Sequence, residues 1–418
     1  MYAAMPAVLK DAVLQAYESC GWDLSESRNK YSDDLFPTFI DLQNELIQVI
    51  QHSAYSEEVK SNYTGSLVTR IKSLTNGLNG QIFSPAEVEN NRLFDRKVIV
   101  DISRVGSSET KSLIMGILIM RLNEYRMTTS EGMNLPLRHV TVLEEAHNIL
   151  KRTSGESNPE ESNVAGKSVE MISNAIAEMR TYGEGFIIAD QSPSAVDISA
   201  IRNTNTKIIM RLPDEQDRRL AGKSAGLKEQ QLDEIAKLPK GVAVVYQNDW
   251  LESVLCKIEK FKGEEQQYQF ALDRKENIYE NKKKILIQNL LNKNAGEKLD
   301  LTLGELTEML LGMDIASGIK VKALKVLRKN GTCSLQEISP LIYDLLCDSS
   351  VEKEAEDADS VEDWKNVFLN ADDSILSNLE LSSQNRAIEC IILEQIERYN
   401  KPVEYLDIWH EFIRGEVI

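Results

Sequence analysis

The chain has few of the residues that build metal centres or disulfide frameworks. Only four histidines occur in 418 residues, which argues against a histidine-rich metal site. The five cysteines are scattered and odd in number, and no two of them have metal-ligand spacing. This cysteine usage is typical of a reducing compartment, so we expect a cytoplasmic protein without structural disulfides.

Long hydrophobic runs and net positive charge are also missing. The longest apolar run, at residues 112–120, is about half as long as a membrane span needs, and the N-terminus has no signal-peptide pattern. We therefore expect no membrane association. The net charge of −18 leaves no overall basic footprint for nucleic acid, although a few lysines inside a ring or channel would suffice for DNA contact.

A complete phosphate-binding loop, G-x-x-x-x-G-K-[ST], does not occur in the chain. Its tail, Gly-Lys-Ser, occurs twice, at residues 166–168 and 222–224. The first glycine of the loop would fall on Glu161 in one copy and on Asp217 in the other. Each copy places a carboxylate where a bare backbone turn must approach phosphate. We interpret both as solvated lysines near helix starts and expect neither to bind nucleotide.

What is present is an alternation of strand and helix patterns in the middle of the chain. Residues 1–96 and 263–418 have apolar residues at helical spacing, and the second region contains an acidic loop, "CDSSVEKEAEDADSVEDW". Residues 97–262 alternate β-branched runs with helices, which predicts an α/β fold with a mostly parallel sheet. The predicted strands are "KVIVDIS", "RHVTVLEEA", "GFIIADQSP", "KIIMRLP" and a hairpin of "GVAVVYQ" and "ESVLCKI".

Two carboxylates, Glu144 and Glu145, directly follow a predicted strand in "HVTVLEEAHN". In an open parallel sheet, ligands bind beyond the carboxyl ends of the strands. The first acid could hold a Mg²⁺-bound water, and the second could polarise an attacking water as a general base. Two surface acids that favour a helix dipole explain this stretch alone equally well.

The next predicted strand ends in Gln191, within "GFIIADQSPS". Its amide could hydrogen-bond a γ-phosphate or the attacking water, although a turn-capping role is the simpler interpretation of this stretch alone. Arg180 ends a predicted helix just before Gly183. It either complements the helix dipole or serves as an arginine finger for the nucleotide of a neighbouring subunit.

Together these stretches resemble a known family. "VIVDIS", "VTVLEEAHN", "EMRTYGEGFIIADQSPS", "IRNTNTKIIMRL" and "LPKGVAVV" follow in the order found in HerA-type ATPases of the HerA/FtsK superfamily. Residues 1–80 look like the helical segment between the two halves of that ATPase. The resemblance covers residues 1–260 and implies a RecA-like P-loop NTPase domain that uses ATP and Mg²⁺.

The resemblance also implies roles for individual residues. Glu144 would be the Walker B acid on the Mg²⁺ side, Glu145 the catalytic base and Gln191 the sensor. Arg180 would be the first candidate for the finger. Two further arginines are weaker finger candidates near the nucleotide, namely Arg202 and Arg211.

At the level of the whole protein, the resemblance implies a homo-hexameric ring that translocates double-stranded DNA together with a nuclease or another effector, in DNA processing or anti-phage defence. Such proteins carry their phosphate loop upstream of the helical segment, and this sequence does not contain it. We therefore interpret the chain as the C-terminal portion of a longer or split ATPase, with a sheet that lacks the phosphate-loop strand. By itself it is not expected to hydrolyse ATP.

Two other interpretations stay open. The chain could be a non-catalytic ATPase module whose helical tail docks a partner. Alternatively, "ALKVLRKNGTCSLQEISPLI" has the rhythm of a DNA-binding winged helix, although the acidic stretch that follows it opposes phosphate contact.

Overall fold

The structure is a computed structural model that describes residues 4–152, 159–263, 276–347, 351, 354–355, 358, 360–371 and 375–415. The chain forms two compact units, Met1–Glu87 with Phe270–Ile418, and Val88–Gln269. No helix in the described ranges is long and apolar enough to cross a membrane. The division into 1–96, 97–262 and 263–418 stays a prediction, and the structure adds that the two helical ends pack in one unit.

The N-terminal part of the first unit is helical, with one short hairpin. A capping box begins its second long helix, since Thr38 Oγ1 accepts a hydrogen bond from Asp41 N while the Asp41 carboxylate accepts one from Thr38 N. The elements are α1 (Met5–Ser19), β1 (Trp22–Asp23), β2 (Arg28–Asn29), α2 (Phe39–His52), α3 (Glu57–Tyr63), a π-helical turn (Thr64–Val68), α4 (Thr69–Thr75) and α5 (Gly77–Ile82).

The second unit alternates helices with strands, which confirms the predicted α/β class. Its elements are α6 (Asn90–Phe94), α7 (Ser108–Thr129), β3 (His139–Glu144), α8 (Pro159–Met179), β4 (Glu184–Ala189), α9 (Ile198–Asn203), β5 (Thr206–Ile209), α10 (Glu215–Ser224), α11 (Glu229–Ile235), β6 (Val242–Gln247) and β7 (Val254–Lys257).

The strands of this unit form two small sheets. β3 and β4 pair in parallel, in register from His139 opposite Glu184 to Glu144 opposite Ala189. β5, β6 and β7 pair antiparallel in that order, so the predicted hairpin of the last two strands is confirmed. The prediction of a mostly parallel sheet is therefore correct for β3 and β4 but wrong for β5, which pairs antiparallel with β6. The two short helices α10 and α11 return the chain alongside β5 in the opposite direction.

The parallel pair has one packed face and one open face. Leu143 is buried and belongs to a core with Ile119 of α7 and Met179 of α8. The alternate positions point the other way, because successive side chains of a strand face opposite sides. Val142 and Ile187, which lie opposite each other in the register, are 53% and 54% exposed.

The first predicted strand, "KVIVDIS", does not form. Residues 97–102 pair with no other described strand, and Ile99 is 93% exposed. The prediction rested on β-branched residues, whose strand preference depends on packing against neighbours. Among the described residues β3 pairs only with β4, so this run lacks the adjacent strand that would order it.

A buried polar network ties the amino ends of β3 and β4 to α7. Arg126 Nε donates to Glu184 Oε2 over 2.9 Å, and Nη1 donates to Asp95 Oδ1 over 2.7 Å. The other Glu184 oxygen accepts from Thr141 Oγ1 and contacts His139 Nδ1, each over 2.7 Å. Because the Glu184 side chain is fully buried, these bonds fix the two strands against the helix.

The C-terminal part of the first unit is helical. Capping boxes at Thr302 with Glu305 and at Ser334 with Glu337 begin two of its helices. A winged helix also needs a β-hairpin, and the described residues after Glu276 contain no strand. The elements are α12 (Glu276–Ala295), α13 (Leu303–Leu311), α14 (Ser317–Arg328), α15 (Leu335–Leu346), α16 (Val361–Ala371), α17 (Leu381–Tyr399) and α18 (Glu404–Arg414).

One carboxylate joins the two parts of the first unit. Asp41 of α2, only 5% exposed, accepts hydrogen bonds from the backbone N–H groups of Ser317 and Gly318 over 3.0 and 2.8 Å. These are the first two residues of α14, whose N–H groups have no partner within their own helix. Asp41 therefore helps to start two helices that lie far apart in the sequence.

Candidate active site

The two predicted carboxylates lie where β3 ends. Glu144 is the last residue of the strand and is exposed. Glu145 then adopts the left-handed conformation, with φ 51° and ψ 51°, which is uncommon for a residue other than glycine. The following residue, Ala146, is completely buried and anchors the turn in the core. The backbone therefore reverses at Glu145 and holds its side chain at the carboxyl edge of the sheet.

The structure brings Glu145 and Gln191 together. Gln191 lies just beyond the end of β4, and its Nε2 donates a hydrogen bond to Glu145 Oε1 over 2.8 Å. The bond fixes one carboxylate oxygen and leaves Oε2 for other contacts. The sequence places these residues 46 positions apart, and only the parallel pairing of β3 with β4 makes them neighbours.

Two further residues complete this cluster. The Asp190 side chain is 6% exposed, and its Oδ2 accepts a hydrogen bond from His147 N over 2.8 Å. The His147 ring nitrogen Nδ1 lies 2.9 Å from the same oxygen and 3.5 Å from Glu145 Oε2. Both residues follow a strand end, so the argument that identified Glu145 and Gln191 could have identified them too.

The candidate arginines are exposed, and in the described parts of the chain none of them forms an ion pair with this cluster. Arg180 is exposed and precedes β4, whereas the cluster follows the strand. Six strand residues at a rise of about 3.3 Å each separate the two ends by roughly 20 Å. Arg202 and Arg211 are also exposed, near the ends of α9 and β5. Arg180 therefore cannot reach the Glu145 carboxylate of its own chain.

Both Gly-Lys-Ser copies lie in helices, so neither forms a phosphate loop. Residues 166–168 are inside α8, and residues 222–224 end α10. Lys223 forms an ion pair with Glu229 over 2.5 Å. The expectation that neither copy binds nucleotide agrees with this geometry. The expected position near helix starts was wrong for both, because the helices begin well before each copy.

Part of the chain is similar in sequence to known proteins. No protein-family model matches the chain. Two curated relatives are 28% identical to it over 141 residues, and both are DNA double-strand break repair helicases HerA, from Sulfolobus acidocaldarius and from Sulfurisphaera tokodaii. Each match covers 34% of this chain and 26% of the relative. The match therefore spans about a quarter of the length of these relatives.

Two solved structures are similar to part of this chain. VirB4 of Thermoanaerobacter pseudethanolicus is 15% identical, with 62% of this chain and 64% of that chain covered and a TM-score of 0.46. The genome packaging NTPase B204 of Sulfolobus turreted icosahedral virus 2 is 12% identical, with 49% of this chain and 94% of that chain covered and a TM-score of 0.29.

The resemblance stated from the sequence is confirmed by the HerA relatives. This chain contains a portion related to the HerA-type ATPases of the HerA/FtsK superfamily.

Proposed function

We propose that this chain is the portion of a HerA-like, ATP-driven double-stranded DNA translocase that activates the attacking water. The observation that carries the proposal is the hydrogen bond of 2.8 Å between Gln191 Nε2 and Glu145 Oε1 at the carboxyl edge of a parallel strand pair. Ligands of open α/β sheets bind at this edge. The similarity to two HerA helicases supports the same assignment.

Glu145 has the chemistry of a general base. Gln191 holds one of its oxygens, which restricts the carboxylate to one orientation. The side chain is 44% exposed, so a water can reach the remaining oxygen. A positioned base of this kind contributes about 10²–10⁴-fold to a rate. Gln191 acts as the positioning residue, because its amide contacts the base and lies at the same edge.

The residues present fit Mg²⁺ but leave the phosphates of ATP without a cradle. Glu144 offers an exposed carboxylate, the hard oxygen ligand that Mg²⁺ prefers. When bound, Mg²⁺ neutralises charge on the transferred phosphoryl group. No Gly-Lys-Ser stretch of this chain forms a loop, so the proposal requires a phosphate loop from another segment.

The open face of the parallel pair supports this requirement. Val140, Val142 and Ile187 lie on one side of β3 and β4 and are 41%, 53% and 54% exposed. The apolar run at residues 97–102 is unpaired as well. Parallel strands are usually covered on both faces. We assign the open face to the half of the ATPase that carries the phosphate loop.

The position of Arg180 supports action between subunits. The residue is exposed, at the sheet end opposite Glu145, so it can serve only the site of another protomer. We therefore propose a homo-hexameric ring in the cytoplasm that works with a nuclease or another effector, in DNA processing or defence. The alternative is a non-catalytic module, which the lack of a phosphate loop in these 418 residues favours.

The test is Glu145→Gln in the complete protein, in which the phosphate loop is supplied. The change keeps the shape of the side chain and removes the base, so ATP turnover should fall by about 10²–10⁴-fold while ATP binding persists. Glu124→Gln, at an exposed position of α7, is the matched control. Turnover within about threefold of wild type would show that Glu145 is not the base.

A further inference from the structure

The cluster at the carboxyl edge has a feature that the proposed hydrolysis does not use. Glu145, His147 and Asp190 each offer one donor atom, and these three atoms lie within 4.8 Å of one another. Nδ1 is 2.9 Å from Asp190 Oδ2 and 3.5 Å from Glu145 Oε2. Three donors that each lie 2.0–2.2 Å from one ion are themselves separated by about 3–3.5 Å. The two distances from Nδ1 therefore already match this spacing, and the two carboxylates lie within 4.8 Å of each other.

Each carboxylate is also held by a second partner. Gln191 Nε2 donates to Glu145 Oε1, which turns Oε2 towards the histidine ring. Ser192 N donates to Asp190 Oδ1 over 2.9 Å, which turns Oδ2 the same way. Outer hydrogen bonds of this kind orient the ligands in protein metal sites. The orientation therefore does not depend on an ion being present.

The charge of the cluster favours a cation. Two carboxylates face one imidazole, and no lysine or arginine in the described parts of the chain forms an ion pair with either Glu145 or Asp190. The donor oxygens of Glu145 and Asp190 lie within 4.8 Å of each other, and negative charges this close repel each other. A divalent ion brings two positive charges to this pair of carboxylates.

The cluster is open on one side. The side chains of Glu145 and His147 are 44% and 37% exposed, while that of Asp190 is 6% exposed. An ion can therefore enter from solvent and keep water in its remaining positions, as in metal sites with three protein ligands.

We propose that Glu145, His147 and Asp190 bind one divalent transition-metal ion of the Mn²⁺ or Zn²⁺ class. One imidazole nitrogen with two carboxylates is a mixed ligand set that suits these ions better than Mg²⁺, which prefers oxygen ligands alone. The ion takes the place between Nδ1 and the two carboxylates, and the neutral ring binds it through the Nδ1 lone pair and carries its proton on Nε2. The site is distinct from the Mg²⁺ ligand proposed at Glu144, and it does not depend on the proposed function.

Occupancy of this site and turnover exclude each other. Oε2 of Glu145 cannot coordinate an ion and accept a proton from water at the same time. If the proposed function is correct, the ion is an inhibitor that blocks the base.

The direct test is a Mn²⁺ titration of the metal-free 418-residue chain by isothermal titration calorimetry. Mn²⁺ is the probe because the chain has five free cysteines, and thiolates prefer softer ions such as Zn²⁺. We expect one saturable site per chain. His147→Gln and Glu145→Gln should each weaken binding by at least about tenfold, the lower range for disturbing a metal site.

The matched control is His410→Gln. His410 Nε2 lies 3.2 Å from Glu389 Oε1, so this pair offers one carboxylate where the proposed site offers two. The control should bind Mn²⁺ like wild type. Circular dichroism checks that each variant is folded.

A second measurement needs no variant. The chain has four histidines, and Mn²⁺ broadens the NMR signals of nearby nuclei. At substoichiometric Mn²⁺ the ring signal of His147 should disappear first. Binding that is unaffected by His147→Gln, or weaker than about 1 mM, would overturn the proposal, and the cluster would then be a hydrogen-bonded triad only. Neither result depends on ATP turnover, so failure here leaves the proposed function untouched.

Discussion

The two units of this chain differ in how their cores are enclosed. The helical unit packs α12 to α17 around a continuous core in which Leu290, Ile338 and Ile391 have no exposed surface. The α/β unit buries one face of β3 and β4 and leaves Val142 and Ile187 more than half exposed on the other. The candidate site around Glu145 and Gln191 lies in the unit with the open face. The core of the α/β unit is therefore open on one side of its parallel strands, whereas the apolar exposure of the helical unit is scattered, for example at Leu78 and Leu381.

The largest effect should come from Arg180→Ala in the complete protein. A finger contributes about 10³-fold or more, so turnover should fall by that factor while nucleotide binding and assembly persist. Mixing this variant with Glu145→Gln protein should restore part of the activity, because some interfaces then combine an intact base with an intact arginine. Normal turnover would instead support the helix-dipole role and make Arg202 or Arg211 the next candidate.

The difference in burial predicts different tolerance to substitution. Leu290→Ala removes a fully buried side chain and should lower the free energy of unfolding of the helical unit by about 2–5 kcal/mol. Val142→Thr, on the open face, should change that of the α/β unit by no more than about 0.5 kcal/mol.

Urea unfolding monitored by tryptophan fluorescence measures the first change. Three of the four tryptophans, Trp22, Trp364 and Trp409, lie in the helical unit, and Trp250→Phe makes the signal specific to it. Hydrogen exchange of the β3 amides measures the effect of Val142→Thr on the stability of the α/β unit. A large cost for Val142→Thr would mean that the open face is covered in solution.

The contact between the N-terminal and C-terminal parts of the helical unit includes hydrogen bonds to one carboxylate, that of Asp41. Asp41→Ala leaves the N–H groups of Ser317 and Gly318 without their partner, and Ser317 is buried. The free energy of unfolding should fall by about 2–4 kcal/mol, given about 1–3 kcal/mol for each unsatisfied buried group. Asp41→Asn keeps an acceptor oxygen and should cost less. Asp11→Ala, exposed on α1, is the control and should be nearly neutral.

The smallest effect is on the pH dependence of the free energy of unfolding, which should have opposite signs for one carboxyl group in each unit. Burial raises the pKa of Asp95 in the α/β unit, but hydrogen bonds from Tyr125 and Arg126 outweigh it and hold the pKa below its usual value. Burial raises the pKa of Glu394 in the helical unit, and the hydrogen bond from Arg398 offsets this only in part.

A lowered pKa stabilises the fold above the unfolded pKa, so the contribution of Asp95 is present above about pH 3.9 and is lost as the pH falls further. A raised pKa acts in the opposite sense. The contribution of Glu394 is full below about pH 4.3 and is lost as the pH rises through its folded pKa. Hydrogen exchange between pH 3 and 6 should show both trends. Asp95→Asn should remove the trend in the α/β unit, and Glu394→Gln should remove the trend in the helical unit. Unchanged trends in the variants would assign the pH dependence to other groups.

The local elements and the residue types of the candidate site could be predicted from the order of residues alone. The β-branched runs before Glu144 and Gln191 predicted β3 and β4, because a short β-branched apolar run with a polar end is typical of a buried strand. The misplaced carboxylates in both Gly-Lys-Ser copies ruled out a phosphate loop, since the loop needs glycine at a fixed spacing. These features depend only on neighbouring residues.

Which of these residues lie in contact depends on how the strands pair in the fold. Parallel pairing of β3 and β4 places Glu145 and His147 beside Asp190 and Gln191, and it leaves Arg180 at the far end. The same dependence explains the failure of "KVIVDIS", whose apolar residues form a strand only beside a partner. Long-range contacts of this kind have no signature in a single sequence, because they arise from the packing of segments that the chain order keeps apart.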